Sequence, residues 1–175
     1  MKITRGNALR GLRGYGAVAA LLITLTGCLA GPAQYYGGTG VHDATAAEAA
    51  GVWESVEGTA MTLRPDGTAT VTRLDGRDFD FDEGWRLSGK GAWSLFDTPD
   101  GQRLRLELTA RAGVDRRADA TMPPPDGGDP PTTYSWRFYV DRDERRSLVL
   151  FFFVGDPDAG STYVMTRRPT ATTAP

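Results

Sequence analysis

The feature that most constrains this chain is a hydrophobic period of two. Within Gln102–Thr109, Leu104, Leu106 and Leu108 alternate with Arg103, Arg105 and Glu107. Successive side chains of an extended strand point to opposite faces, so this run has one apolar face and one charged face. That is the pattern of an antiparallel strand with one side on a core and the other in water. A helix would scatter the same leucines around its circumference.

The period recurs along the chain. Met61 and Leu63 alternate with Thr62 and Arg64, Ala69–Leu74 carries Val71 among threonines, and Ala92–Phe96 sets Trp93 and Leu95 on one side. Tyr134, Trp136, Phe138 and Val140 alternate with Thr133, Ser135, Arg137 and Tyr139. Further strands are predicted at Val52–Ser55, Ser147–Val154 and Ser161–Arg168. Pro65-Asp66-Gly67 is a turn in which proline presets its own φ and glycine accepts a positive one. Asp97–Gly101, Asp141–Arg146 and Gly155–Gly160 supply the other short connections. Seven to eight short strands, with no helix past the N-terminal leader, predict an all-β fold: an antiparallel up-and-down barrel or curled sheet. Closure would also remove edges that could pair with other chains. Residues 51–168 form this one domain, and 118 residues suffice for a single core. A Pro-rich stretch, 110–132, reads as a long irregular loop, either mobile or a functional rim, and 169–175 as a disordered tail.

The N-terminus has a different character. Lys2, Arg5, Arg10 and Arg13 precede an apolar run, Ala17–Leu25, with no acid among them. That run is well short of the about 20 apolar residues a membrane-spanning helix needs. Leu25-Thr26-Gly27-Cys28 then closes a segment that resembles a bacterial lipoprotein signal peptide with its lipobox. The resemblance implies removal of residues 1–27 and a lipid on Cys28 as the first mature residue. It also implies residence at the cell membrane, lipid-anchored on the extracytoplasmic face. A thiolate is the side chain best suited to form that thioether, and two or more acyl chains make such an anchor durable. A cut after Ala30, or an uncleaved signal anchor, stays open from the residues alone. Residues 28–50, rich in Gly, Ala and Thr, read as a flexible tether with an r.m.s. reach of about 25 Å. His42 falls in it as a surface residue.

Removing the leader leaves 16 basic against 22 acidic residues, a net charge of −6. Nucleic acid is therefore not an expected partner, since phosphate binding needs a concentrated basic surface. Arg116-Arg117, Arg145-Arg146 and Arg167-Arg168 read as solvated charges at loops and strand ends. With its one cysteine given to lipid the chain has no disulfide, so the core alone must hold the fold.

Gly51-Val52-Trp53, opening the first strand, resembles the Gly-x-Trp of lipocalins and lipocalin-like barrels, which implies that Trp53 closes one end. TLRPDGTATVTRL, GKGAWSL and LVLFFFVGDPDAGSTYVMTRR are similar to a family of uncharacterised secreted proteins and lipoproteins of actinobacteria. That resemblance implies a fold and a compartment but no mechanism.

Candidate chemistry is sparse. Asp78–Gly84 resembles the start of a calcium loop, yet Glu83 and Gly89 stand where glycine and a bidentate glutamate are required. It reads instead as an exposed hairpin with Phe79 and Phe81 facing inward. No metal or cofactor is expected. Trp53, Trp93, Trp136 and Phe138 are candidates to line an apolar ligand pocket, or simply fill a small barrel. Leu148–Val154 is apolar on both faces, so Phe151 and Phe153 are either covered by the chain or form a partner face. No serine sits in a nucleophile elbow and the lone histidine lies in the tether, so no catalytic residue is assigned. The expectation is a non-catalytic interaction module of the cell envelope, with an envelope protein as partner. The alternative is a lipocalin-like binder holding a small apolar ligand inside the barrel.

Overall fold

Alternation along short segments yields eight strands closed into one antiparallel barrel. The computed structural model describes residues 37–121, 129–155 and 160–169. Helix α1 (Ala46–Ala49) precedes β1 (Gly51–Glu54), β2 (Ala60–Leu63) and β3 (Thr68–Asp75). Helix α2 (Asp78–Glu83) follows, then β4 (Trp85–Phe96), β5 (Arg103–Arg116), β6 (Tyr134–Arg142), β7 (Leu148–Phe153) and β8 (Thr162–Arg167). Each strand pairs with its sequence neighbours, and β1 meets β8 at Trp53↔Arg167 and Glu54↔Thr166 to close the ring. The expected all-β barrel is the observed fold, in its closed, eight-stranded form.

The inward residues fill it. Trp53, Met61, Leu63, Leu74, Leu87, Leu104, Leu106, Trp136, Phe138, Leu150, Phe152 and Met165 are all but inaccessible to water. Burying a large apolar side chain contributes about 1.5–3 kcal/mol, against about 0–1 kcal/mol for an exposed ion pair. The β1–β8 seam is thus held chiefly by Trp53, which is 0% exposed, and less by the exposed Arg168–Glu54 pair beside it. Backbone bonds extend the seam: Arg168 N–H donates to the Val52 carbonyl at 2.8 Å.

Two long strands, β4 and β5, coil around much of the wall, and their ladder slips register at Ser88/Gly89 and Lys90/Gly91. Such bulges bend a strand and increase its twist, which closure of a small barrel requires. Glycine is demanded there by close approach. A Cβ on Gly91 would lie 1.8 Å from the Glu107 carbonyl oxygen, and one on Gly89 would lie 2.2 Å from that of Ala110. A further register shift between Val71 and Leu74 leaves Arg73 at φ 55.

Three sequence expectations are corrected. The segment read as tether is packed from Thr39 onward: the Thr39 hydroxyl donates to the Val140 carbonyl (2.6 Å) and Gly40 N–H to that of Asp100 (3.2 Å). The Gln102 side chain, 8% exposed, bonds both the N–H (2.8 Å) and the carbonyl (3.0 Å) of Ala44. A Thr45/Glu48 capping box starts α1, and the Trp53 indole donates to the Ala49 carbonyl at 2.8 Å. Residues 39–50 therefore plug one end of the barrel, using alanines and backbone groups that carry no hydrophobic period. The second correction is the Pro-rich loop, which begins later than 110 because β5 runs to Arg116, its polar end paired with β4. The third is Asp78–Glu83, which is a short helix rather than a hairpin, ended by Gly84 at φ 74. The side chain of Phe79, and residues 122–128 and 170–175, lie outside the described residues.

Substituting Gly91→Ala should destabilise the barrel by about 1–3 kcal/mol or more through overpacking against the β5 backbone. Urea unfolding checks this; an unchanged midpoint would show that β4 and β5 can part without loss.

Candidate functional site

The up-and-down topology gives the barrel two dissimilar ends. One gathers the β1–β2 connection, α2 and the chain leaving β5. Asp75, the last residue of β3, is buried there at 0% exposure. Cross-strand register sets it opposite Arg86 of β4. Its Oδ2 accepts from Arg86 Nε at 3.2 Å and from the Tyr163 hydroxyl at 2.9 Å, while Oδ1 faces Arg117 Nε at 3.6 Å. A second Arg86 nitrogen donates to the Glu57 carbonyl, and the Tyr163 hydroxyl also lies against Ser55 (3.0 Å) and Thr59. Arg117 reaches across α2: it donates to the Phe81 carbonyl at 2.8 Å, and its guanidinium lies 3.5 Å from the Phe81 ring centroid. Asp119 approaches its Nε at 3.4 Å, so two carboxylates balance two guanidiniums.

The helix is latched at a second point. The Tyr134 hydroxyl donates to Asp80 at 2.7 Å and accepts from Arg77 N–H at 3.1 Å. Trp85, Tyr134 and Trp136 stack edge to face beneath it, and the Trp136 indole donates to the Asp75 carbonyl at 2.7 Å. Burial raises the Asp75 carboxyl from its ordinary value, outweighing the Tyr163 bond and the two arginines. Burial likewise pushes Tyr163 up to about 12, helped by the Asp75 charge, and Tyr134 up to about 12. The charges of this cluster face one another, though Asp75 Oδ1 and Arg117 Nε make no hydrogen bond. Chemically it is a clamp that joins β3, β4, β8 and α2.

The opposite end carries residues 39–50 and the turn between β6 and β7. A cleft of about 480 Å³ opens there, lined by Arg142, Arg145, Arg146, Arg167 and Arg168, with Glu48 of α1 at one side. Asp143 builds the turn, its carboxylate accepting from the N–H groups of Arg145 (2.9 Å) and Ser147 (2.8 Å). Arg146 sits at φ 61, a conformation unusual for a residue with a side chain.

Residues singled out from sequence are placed as follows. Trp53, Trp136 and Phe138 are 0% exposed and Trp93 7%, and all four pack in the core. The Trp93 indole donates to the Arg64 carbonyl at 2.8 Å. The arginine cleft involves none of them. Phe151 and Phe153 lie on the outer face around Tyr139, whose ring stacks on Phe151 at 5.0 Å and takes the Arg103 guanidinium at 3.8 Å. Phe151 is 4% exposed, so the chain itself covers it. His42 is exposed, with Nδ1 2.7 Å from Asp97. Cys28 lies outside the described residues.

Sequence reading missed the Asp75 clamp and took the arginine pairs as scattered charges. One signal was present: Val71 and Leu74 are three apart in a period-two strand, which demands a bulge and turns Asp75 out of phase.

Replacing Asp75 by Ala leaves two buried guanidiniums short of a carboxylate and should cost roughly 3–5 kcal/mol. Raised tyrosine pKa values stabilise the fold fully below pH about 10, and that contribution is lost as pH rises through about 12. Thermal melts from pH 9 to 12 should therefore fall steeply in the wild type and less so in a Tyr134→Phe/Tyr163→Phe variant. Parallel curves would contradict the assignment.

Against this geometry, comparison with known proteins adds no identity: no protein family, no curated protein and no solved structure matches this chain.

Proposed function

We propose that this chain is a membrane-anchored, extracytoplasmic lipoprotein acting as a non-catalytic interaction module of the cell envelope. The observation that carries the reading is the occupied interior. Trp53, Trp136, Phe138 and Phe152 fill the barrel, residues 39–50 plug one end and α2 is clamped over the other. Recognition then falls to the outer surface, where the arginine cleft is a formed recess within the roughly 300–1,000 Å³ of small-molecule sites. The lipobox Leu25–Cys28 supplies the anchor.

Two measurements test this. Metabolic labelling with a fatty acid should mark the wild type and not Cys28→Ser, which should be released or left unprocessed; equal labelling would remove the anchor. Native mass spectrometry of the purified protein should show no apolar molecule held inside the barrel. A stoichiometric apolar molecule retained in the barrel would overturn the module reading in favour of a lipocalin-like binder.

A further inference from the structure

We infer that the arginine cleft is a headgroup site for an anionic phospholipid of the membrane to which the chain is anchored. The mature chain is acidic, yet this recess collects five guanidiniums against the carboxylates of Glu48 and Asp143. Both acids are engaged. Glu48 is held by Thr45 and Arg142, and Asp143 by the N–H groups of its own turn.

The arginines divide by how free they are. Arg142 bonds Asp43 at 3.1 Å and Glu48 at 3.4 Å, Arg167 bonds the Ala50 carbonyl at 2.7 Å, and Arg168 pairs with Glu54. Arg146 makes one long approach to Asp43 at 3.7 Å and its side chain is 79% exposed. Among the described residues, no ion pair engages the Arg145 guanidinium. The two adjacent arginines of the turn are thus the ones left to receive an oxyanion, which guanidinium binds with paired N–H donors. Arg146 holds its place at a positive φ, a strain of the kind found at binding sites.

Two features select a lipid rather than a free anion. First, the cleft adjoins a shallow groove of about 230 Å³ on the outer face of β7 and β8, in which Val149, Val164 and Phe151 lie beside Asp141, Arg142, Asp143 and Thr162. Arg142, Asp143 and Val149 line both recesses and Val164 is 41% exposed, so a phosphate in the cleft has valine side chains beside it for the start of an acyl chain. Second, the cleft is at the barrel end where the N-terminal segment emerges, and α1 forms part of its wall. On the anchored reading the lipid would be attached nine residues before Gly37, the first described residue at this end. Acids also stand on this side: Asp43 and Glu48 hold Arg142, Asp141 precedes the turn and Asp143 and Glu144 lie in it, so the site is the recess at Arg145 and Arg146 and not a basic face as a whole. That recess, rather than the whole end, is what the membrane meets.

The inference rests on the anchored reading for the source of the lipid, and its test is independent of the anchor. The chain from residue 28 onward, carrying Cys28→Ser, is sedimented with phosphatidylglycerol or phosphatidylcholine vesicles. Binding should be at least tenfold stronger to phosphatidylglycerol. Each basic residue near an anionic surface is worth about fivefold, so Arg145→Gln/Arg146→Gln should weaken binding about 25-fold. Arg146→Gly suits the backbone and should also lose binding, which separates the charge from any folding defect. Lys90→Gln/Arg137→Gln removes equal charge elsewhere; an equal loss would reduce the effect to non-specific attraction and overturn the proposal. Competition by millimolar inorganic phosphate at fixed ionic strength would reassign the cleft to a soluble anion. Equal binding to both vesicles would leave no headgroup site. Fatty-acid labelling of the wild type in cells scores the anchor separately.

Discussion

An eight-stranded sheet closed on itself has room inside for its own side chains and little more. Here that limit is met by aromatic and branched residues from every strand, and Trp53 and Trp136 extend the filling toward opposite ends. Much else follows from the closed volume. Strand ends must be sealed by something, so a run of alanines docks at one end and a single-turn helix at the other. Tight curvature forces bulges into β4 and β5, and the bulges need glycine where the two backbones press together. Polar groups caught under the seals need partners: Asp75 Oδ2 takes Arg86 and Tyr163, while Oδ1 and Arg117 Nε, 3.6 Å apart, face each other without a hydrogen bond.

Legibility from sequence tracks how each residue is buried. Leu104, Leu106 and Leu108 announce their strand because their burial comes from side chains in strict alternation. The N-terminal half of β4 does not, since Ser88, Gly89 and Gly91 occupy the bulged region and break the period. The polar end of β5 carries no buried apolar face to mark it, Val114 there being 46% exposed. Asp78–Glu83 alternates acid and phenylalanine yet is helical, because its conformation is set by clamps from Arg117 and Tyr134 rather than by its own pattern. Residues 39–50 were invisible for a third reason, their burial being by backbone bonds and methyl groups. The arginine cleft was legible only as pairs, since topology brings the turn after β6 beside the end of β8.

Charge is sorted by location as well as by amount. The clamp end pairs Asp75 with Arg86 and Arg117 beneath its surface, while at the plug end Asp43 and Glu48 hold Arg142 and leave the exposed Arg145 and Arg146 of the next turn facing outward. A domain with an excess of acids can in this way keep one cationic recess without neutralising it. That sorting depends on rigid turns: the Asp143 carboxylate fixes the backbone from which Arg145 and Arg146 project.

The seam between β1 and β8 has a kinetic meaning. It joins Trp53 to Arg167, nearly the two ends of the domain, through two register pairs. Every other strand pair is local in sequence and can form as the chain lengthens, but this one waits until the last strand exists. Until then β1 keeps a bare edge, and the tryptophan that closes the core has no lid on its outer side. A chain delivered N-terminus first would therefore spend its assembly as an open, sticky ribbon. Completion is a single late event, comparable to fastening a belt, and the rate of that event sets how long the ribbon is at risk of pairing with a neighbour.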